Sequence, residues 1–439
     1  MFMKVTFVSP RSSYFYDRTP YLPLGIAYLI ANITDFLCDI ECIDGQILSE
    51  EDYEQAVESI NSDVLCISAT LLQMKEAIRI AILTKKRLPS IKIIVGGYGP
   101  HSLSPEELFR QNIFDIFVHR EGEITLRDVL TCLEKDGDIT KISNVTFLQA
   151  GKIKQTGVKV ILPDLDSLPF PARDFFNIKA YLDKWRENTG LTSLHLIASR
   201  GCPFNCVFCD KSITGRNVRF RTPRLVVDEV EQLVLNYSPD DLFFFDDLFT
   251  LNKEWVLAVC REISRRRLKN KWSAQGKVGI VDLEMLSAMK EAGCTELLFG
   301  VESGSNKILS FLKKGFTREE VIKTFIACRE VGLRAGAYLI IGVPGERKED
   351  IDLTIDLVRK IRPSLLNFSF LTPFPNTKLY HETSQWIEQK DWTQWDDFTK
   401  TVYNYPFEVD PTVSRKRIIS VYKQLIEEGL DYSTYQLIE

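Results

Sequence analysis

The stretch TSLHLIASRGCPFNCVFC, residues 192–209, joins an apolar strand to a loop that carries three cysteines. The cysteines stand in a C-x3-C-x2-C spacing, at Cys202, Cys206 and Cys209. Thiolates this close in sequence can bind one iron–sulfur cluster or one soft metal ion. Three ligands leave one corner of a four-iron cluster open to a substrate or cofactor. Zinc is the alternative, but it needs a fourth ligand, and the nearest histidine, His195, lies inside the strand.

The chain after residue 190 alternates strands with helices. The apolar patterns predict strands over 192–198, 241–246, 271–275, 295–300, 334–341 and 365–371. Helices are predicted between them, over 223–236, 253–267, 282–292, 317–331 and 346–361. Helix-start signals support two of these, Thr222-Pro223 as N-cap and N1, and Thr317 with Glu320 as a capping box. Six strand–helix steps favour a partial (β/α)6 TIM-like barrel, because a complete barrel needs about 250 residues.

The chain before residue 144 alternates in the same way. Strands are predicted over 3–8, 39–43, 63–69, 91–95 and 114–118, and helices over 24–36, 75–88 and 123–133. Such alternation is typical of an α/β fold with a doubly wound, Rossmann-like parallel sheet. A hairpin is predicted over 144–156 and a proline-rich linker over 162–176. We therefore expect four segments: a Rossmann-like domain at 1–143, a hairpin and linker at 144–190, the barrel at 191–385, and a mostly helical segment at 386–439.

Composition restricts the classes of function. The 439 residues include 55 Lys and Arg against 60 Asp and Glu, a formal net charge of −5, which argues against binding to a polyanion such as RNA. No apolar run reaches the ~18 residues of a membrane span. The opening MFMKVTFVSPRSS predicts a first strand rather than a signal peptide, so we expect a cytoplasmic protein with reduced cysteines.

The cysteine loop and the motifs after it resemble the radical S-adenosylmethionine (SAM) family over about residues 195–385. The resemblance implies that Cys202, Cys206 and Cys209 hold a [4Fe–4S] cluster whose fourth iron chelates SAM, and that reduction cleaves SAM to a 5′-deoxyadenosyl radical. It also implies a set of SAM-binding residues. These are Phe208 near the adenine, Asp246 and Asp247 at the amino group, Glu302 with Ser303 in GVESGS at the ribose, and Gly342 and Pro344 in IIGVPGE beside the adenine and methionine.

One motif departs from this family pattern. Related enzymes often carry Arg-x-Asp on the third strand, with the arginine on the SAM carboxylate. Here QGKVG, residues 275–279, places Lys277 at the arginine position and Gly279 at the aspartate position. Lysine is a point charge rather than a bidentate fork, so the cation stays but the geometry of the contact changes.

The first domain resembles the cobalamin-binding domain of the cobalamin-dependent members of this family. The resemblance rests on four segments, YLPLGIAYL, ISATL, VGGYGPH and HREGEITL, at 21–29, 67–71, 95–101 and 119–126. It implies cobalamin contacts at Pro23, Leu24, Gly25, Ser68, Thr70, Gly96, Gly97 and Glu121. No D-x-H-x-x-G motif is present, so cobalamin is expected to bind without a histidine ligand to cobalt. His101 and His119 are the only histidines of this domain.

These resemblances imply a radical SAM methyltransferase that methylates an unactivated carbon of a small molecule or peptide. Its expected cofactors are a [4Fe–4S] cluster, SAM and cobalamin, and its expected electron donor is a flavodoxin or ferredoxin. A radical cyclisation, rearrangement or oxidation is the first alternative. A tRNA methylthiolase-like enzyme is the second, but only Cys38 and Cys42 stand where that class carries a cysteine triad. A non-enzymatic sensor is disfavoured by the SAM-contact residues.

Overall fold

The computed structural model describes residues 3–12, 20–35, 38–157, 162, 164–388, 391, 395 and 401–432. The described chain forms two compact units. The first comprises residues up to Lys184 together with Lys211–Gly215 and Asp391. The second comprises Trp185–Asp210 and most of the chain from Arg216 onward. The four-segment division expected above stays a prediction, and we describe each unit separately.

The first unit is built on a seven-stranded sheet in the order β2-β1-β3-β4-β5-β6-β7. Its strands are β1 (Met3–Ser9), β2 (Cys38–Asp44), β3 (Val64–Ser68), β4 (Lys92–Gly96), β5 (Ile116–Val118), β6 (Val145–Gln149) and β7 (Lys152–Gln155). The first five are parallel, and the predicted hairpin adds β6 and β7 as antiparallel strands. The strand order reverses beside β1, and in open parallel sheets ligands bind beyond the carboxyl ends of the strands at such a point.

The helices of the first unit are α1 (Leu24–Ala31), α2 (Glu50–Ser59), α3 (Met74–Arg87), α4 (Tyr98–His101), α5 (Pro105–Leu108), α6 (Glu123–Glu134) and the first part of α7 (Ile178–Thr189), which continues into the second unit from Trp185. Strand residues such as Leu65 and Ile67 pack with Ile80 of α3 in one buried core. Helix α7 lies in the segment for which the sequence predicts only a hairpin and linker. It is attached to the sheet through Tyr181, whose hydroxyl donates to Asp44 Oδ2 at 2.6 Å.

The second unit is a six-stranded parallel half-barrel in the order β15-β14-β13-β12-β11-β8. Its strands are β8 (Ser193–Leu196), β11 (Asp241–Phe244), β12 (Lys271–Gly276), β13 (Cys294–Glu302), β14 (Arg334–Ile341) and β15 (Leu366–Phe370). Two short strands, β9 (Ser199–Arg200) and β10 (Arg219–Phe220), form a separate antiparallel pair. The α/β class with a Rossmann-like sheet and a (β/α)6 partial barrel is thus confirmed.

The helices of the second unit are α8 (Pro223–Tyr237), α9 (Lys253–Arg265), α10 (Leu283–Glu291), α11 (Asn306–Phe311), α12 (Arg318–Glu330), α13 (Lys348–Ile361), α14 (Lys378–Thr383) and α15 (Pro411–Glu427). Helix α12 begins with the predicted capping box of Thr317 and Glu320. Thr222 and Pro223 do begin α8, but the Thr222 side chain makes no capping hydrogen bond. Within the described ranges, no helix has the length and apolar character needed to cross a membrane.

Candidate active site

The cysteine loop follows β8, the first strand of the half-barrel, and the short strand β9. Cys202 and Cys206 are half-buried, Cys209 is exposed, and none of the three is in a disulfide. The backbone of Val207, between the last two cysteines, is held on both sides. Its N–H donates to the Leu312 carbonyl at 3.2 Å, and its own carbonyl accepts from Leu379 N at 3.0 Å. The middle of the loop is therefore fixed while the thiols stay accessible.

Two aspartates after β11 hold the backbone that leads into this loop. Asp246 is 2% exposed and accepts hydrogen bonds from the Ser199 hydroxyl and from Ala198 N. Burial raises the pKa of Asp246 to about 7, against the effect of these hydrogen bonds. Asp247 is exposed and accepts from Gly201 N, directly before Cys202, at 2.8 Å. Both carboxylates thus position the start of the cysteine loop.

A buried ion pair lies at the carboxyl end of β13. Lys314 Nζ donates to Glu302 Oε1 at 2.9 Å, and both side chains are nearly inaccessible. A Cβ on Gly300 would lie 2.5 Å from that carboxylate oxygen and 3.1 Å from Lys314 Nζ, so any side chain there would displace the ion pair. Burial alone would lower the pKa of Lys314, but Glu302 and the nearby Cys206 outweigh it and the pKa is raised. Glu302 also has a left-handed backbone, φ +67°, an uncommon conformation for a side chain of this size.

Lys277 joins this pair to the cysteine loop. Its Nζ donates to the Lys314 carbonyl at 2.6 Å and lies 4.2 Å from the Phe204 ring centroid and 4.7 Å from that of Phe316. Burial, and next the charge of Lys314, lower the pKa of Lys277 to about 8. The Lys314 ammonium in turn lies 5.6 Å from the Phe208 ring centroid. The structure therefore brings Phe208, Lys277 and Glu302 together around Lys314. Lys314 is the member of this group that the sequence did not predict.

Two of the remaining predicted SAM contacts, Ser303 and Gly342, form hydrogen bonds with nearby residues. Ser303 Oγ accepts from Ser305 N at 3.1 Å and lies 3.3 Å from Thr354 Oγ1. Gly342, at φ +78°, donates its N–H to Glu346 at 3.0 Å, and Pro344 beside it is buried. Burial raises the pKa of Glu346 to about 7. Glu346 is a second residue that the motif reasoning did not single out, although it ends the motif IIGVPGE.

Among the described residues, no three His, Cys, Asp or Glu side chains converge closely enough to hold one metal ion.

In the first unit, the predicted cofactor contacts lie at or after the carboxyl ends of parallel strands, with Ser68 and Gly96 as the last residues of β3 and β4. Gly97 has φ +93°, and a Cβ there would lie 2.7 Å from the Ala69 carbonyl and 3.2 Å from Ser68 Oγ. The turns after β3 and β4 are therefore in direct contact. A Cβ on Gly25, in the first turn of α1, would meet no atom within 4 Å. The other members of the set lie in these turns, in that helix start, or after β5: Pro23, Leu24, Thr70, Gly96 and Glu121.

Both histidines of the first unit have partners within it. His101 Nε2 accepts from Arg120 N at 3.0 Å, and His119 Nε2 lies 2.7 Å from Thr146 Oγ1. Burial lowers the pKa of His101 to about 3 and that of His119 to about 4, so both rings are neutral at pH 7. Their Nε2 atoms support the left-handed turn at Arg120, φ +59°, and β6.

The two units match two different family models. The model of the radical SAM superfamily matches residues 196–358, and that of the B12 binding domain matches residues 18–130. An uncharacterized methyltransferase of Pyrococcus horikoshii is 31% identical over 386 residues, which are 86% of this chain and 82% of that protein. An anaerobic magnesium-protoporphyrin IX monomethyl ester cyclase of Cereibacter sphaeroides is 26% identical, over 86% of this chain and 63% of the relative.

A solved structure shares the fold. The radical SAM methyltransferase TsrM from Kitasatospora setae, with cobalamin and a [4Fe–4S] cluster bound, superposes with a TM-score of 0.74 at 18% identity, covering 88% of this chain and 78% of TsrM. The sequence relationship to the Pyrococcus protein spans most of both chains, and two family models cover the two units. The chain is a radical SAM enzyme with an N-terminal B12-binding domain, and it belongs to the cobalamin-dependent radical SAM methyltransferases.

Proposed function

We propose that this protein methylates an unactivated carbon of a small molecule or peptide. The second unit would hold a [4Fe–4S] cluster and SAM, and the first unit cobalamin. When bound, the cluster with SAM supplies radical chemistry, and cobalamin supplies a methyl carrier. The observation that carries the proposal is the grouping of three accessible thiols with Lys277, Lys314 and Glu302 at one end of the half-barrel.

The donor set fits a cluster and SAM. A cluster on three thiolates carries negative charge, and two partly or fully buried ammonium groups lie beside the thiols to balance it. We assign the SAM carboxylate to Lys314 with Lys277, because a carboxylate suits an ammonium. We assign the ribose hydroxyls to Glu302, the amino group to Asp247, and the adenine to Phe208 and the backbone of Gly342. Asp246 then positions the cysteine loop through its hydrogen bonds to Ala198 and Ser199.

The first unit fits a large planar cofactor. Gly25 presents open backbone at the start of α1, and Gly96-Gly97 allows the turns after β3 and β4 to pack closely. A methyl group added at Gly25 would project into this open space. We assign cobalamin to this edge of the sheet, and because His101 and His119 already have partners we assign neither to cobalt.

The proposal predicts that Cys206→Ala abolishes both deoxyadenosine formation and methyl transfer. The assay uses anaerobically reconstituted protein, a strong reductant and SAM labelled in its methyl group. Cys132→Ala is the matched control, because Cys132 lies in α6 of the first unit and is not one of the three cysteines of the motif. Deoxyadenosine made by Cys206→Ala at the wild-type rate would refute the assigned site.

The same label tests the second candidate. The Cereibacter relative is named as a cyclase, so the second candidate is a radical reaction without methyl transfer. Label recovered in the product supports methylation, whereas product without label supports cyclisation, rearrangement or oxidation. We place the enzyme in the cytoplasm, where its cysteines stay reduced and a flavodoxin or ferredoxin can deliver the electron.

A further inference from the structure

The half-barrel encloses a lumen whose wall can be identified residue by residue. Side chains along a strand alternate between the two faces of a sheet. In β15, Leu366, Phe368 and Phe370 are buried against the helices, whereas Asn367 and Ser369 are partly exposed. Asn367 and Ser369 therefore face the lumen. The strand pairings extend this set around the wall, to His195, Phe243, Phe245, Gln275, Leu298, Tyr338 and Ile340.

The floor of the lumen is closed by buried polar side chains that bind one another. Ser273 Oγ donates to Asp241 Oδ2 at 3.0 Å, and Ser364 Oγ donates to Glu296 Oε1 at 2.6 Å. Arg334 Nε lies 4.0 Å from the same Glu296 carboxylate. Both carboxylates are therefore buried and hydrogen-bonded within the floor.

One side of the wall is aromatic. The ring of Phe245, after β11, lies 5.5 Å from the ring of Phe243 and 5.9 Å from that of His195, centroid to centroid. Phe243 and His195 are buried, but Phe245 is 42% exposed. A large apolar ring exposed inside a concave site offers a stacking surface to a flat ligand.

The opposite side of the wall is polar but uncharged. Tyr338 and Asn367 are paired across β14 and β15, and Ser369 follows one step further. Asn367 Oδ1 accepts from Phe368 N at 2.8 Å, so its NH2 group is left as a donor. Within the described part of the chain, the Ser369 side chain makes no hydrogen bond, and neither does that of Gln275, which lies in β12, the strand next to β11. These groups favour a ligand with hydrogen-bond acceptors on its edge.

The top of the lumen is the cofactor site described above. Gly300 faces the lumen and lies directly beneath the ion pair of Glu302 and Lys314. Between the floor and this pair, the described wall residues include no carboxylate, ammonium or guanidinium group. An ionised group placed at this level would lose its hydration without a compensating charge.

We propose that this lumen binds the reacting part of the substrate, and that this part is an uncharged, flat ring carrying a hydrogen-bond acceptor. The ring stacks on Phe245, its acceptor meets the amide of Gln275 on the neighbouring strand β12, and the amide of Asn367 offers a second donor on β15. The inference rests on the proposed function, and it excludes substrates whose reacting carbon lies beside a phosphate or carboxylate. Phe245, Gln275 and Asn367 are then the residues that determine specificity.

The test measures binding of three matched probes to the reconstituted holoenzyme by saturation-transfer NMR. 2-Quinolinone is flat, neutral and bears an acceptor, decahydro-2-quinolinone keeps the acceptor without the flat ring, and quinoline-2-carboxylate adds a charge. We expect 2-quinolinone to bind at least fivefold more tightly than either of the others. Phe245→Leu, which keeps apolar bulk without the ring, is expected to weaken its binding about fivefold to tenfold. Leu235→Ala, on the outer face of α8, is the control and is expected to have no effect.

The outcomes separate this inference from the proposed function. Equal binding of all three probes, or equal binding to Phe245→Leu and wild type, would overturn the inference. Each variant is also assayed for iron, cobalamin and deoxyadenosine. Normal cofactor content and SAM cleavage without probe preference would refute only the inference, whereas a wild-type protein that retains no cobalamin would refute the proposed function. Loss of affinity in Gln275→Leu with cofactors retained would support the assigned donor.

Discussion

The ion pair of Glu302 and Lys314 is an unusual choice for a protein interior. Two charges are removed from water at a cost that their attraction offsets only in good geometry. Stability alone does not explain such a pair, and the strained backbone of Glu302 adds to its cost. Both features suit a site in which the charges are arranged for a ligand with its own carboxylate and hydroxyl groups.

Replacing Lys314 should therefore weaken SAM binding more than replacing its neighbour. We expect Lys314→Gln to raise the Kd for SAM about tenfold or more, since a hydrogen bond to a charged group contributes about 1.5–3 kcal/mol. Lys313→Gln removes the same charge one residue earlier, at an exposed position, and should leave the Kd unchanged. Equilibrium dialysis of cluster-loaded protein under nitrogen measures both. Equal Kd values for the two variants would contradict the assignment.

A second prediction concerns pH and the Asp44–Tyr181 contact of the first unit. Burial raises the pKa of Asp44 to about 6, from 3.8 in the unfolded chain. Between these values the folded state holds a proton that the unfolded state releases, so stability falls as pH rises from about 4 to 6 and then levels. Asp44→Asn still accepts from Tyr181 and should remove this slope, which approaches about 1.4 kcal/mol per pH unit at most. Urea unfolding midpoints at pH 5 and pH 8 measure it; an unchanged slope in the variant would refute the assignment.

At the scale of elements, the cysteine loop depends on supports that its own sequence does not reveal. Val207 is held by the ends of two short helices, α11 and α14, neither of which the apolar pattern predicts. Helices of one or two turns carry too few residues for a period to show. The spacing of the cysteines predicts the ligands, but the elements that fix the loop become visible only in three dimensions.

Asp247 supplies one such support, and its removal should release the loop. Asp247→Ala leaves Gly201 N without its acceptor, so we expect the reconstituted protein to retain about half of the wild-type iron or less. Asp247→Asn keeps an acceptor oxygen and should restore the iron content. Iron and sulfide analysis after desalting distinguishes them. An Asp247→Ala protein with the wild-type iron content would show that this hydrogen bond does not position the cysteines.

Helix α1 offers a test of the first unit that separates stability from binding. Gly25→Ala adds a methyl group where no atom lies within 4 Å, and alanine favours a helix by up to about 1 kcal/mol. We expect stability to hold or rise while cobalamin retained per chain falls severalfold. Glu58→Ala, exposed on α2, is the control and should retain cobalamin. Unchanged cobalamin in Gly25→Ala would remove α1 from the cofactor site.

At the scale of the molecule, the long periodic segments are predictable and the irregular ones are not. The parallel sheet of β1–β5, the half-barrel and the capping box of α12 follow from apolar alternation and local hydrogen bonding, whereas the strand order does not. Helix α7 was missed because prolines precede it, although Tyr181 and Trp185 stand at helical spacing. Lys314 was missed because its role depends on a turn that returns it to Glu302, twelve residues earlier.

We propose that one chain holds both cofactors, and a count of cofactors per chain checks this. The full-length protein is reconstituted anaerobically with iron, sulfide and hydroxocobalamin, desalted, and analysed for cobalt, iron and sulfide per chain. We expect about one cobalt together with about four iron and four sulfide per chain. A full cluster with no retained cobalamin would contradict it, and would leave the first unit without the role assigned here.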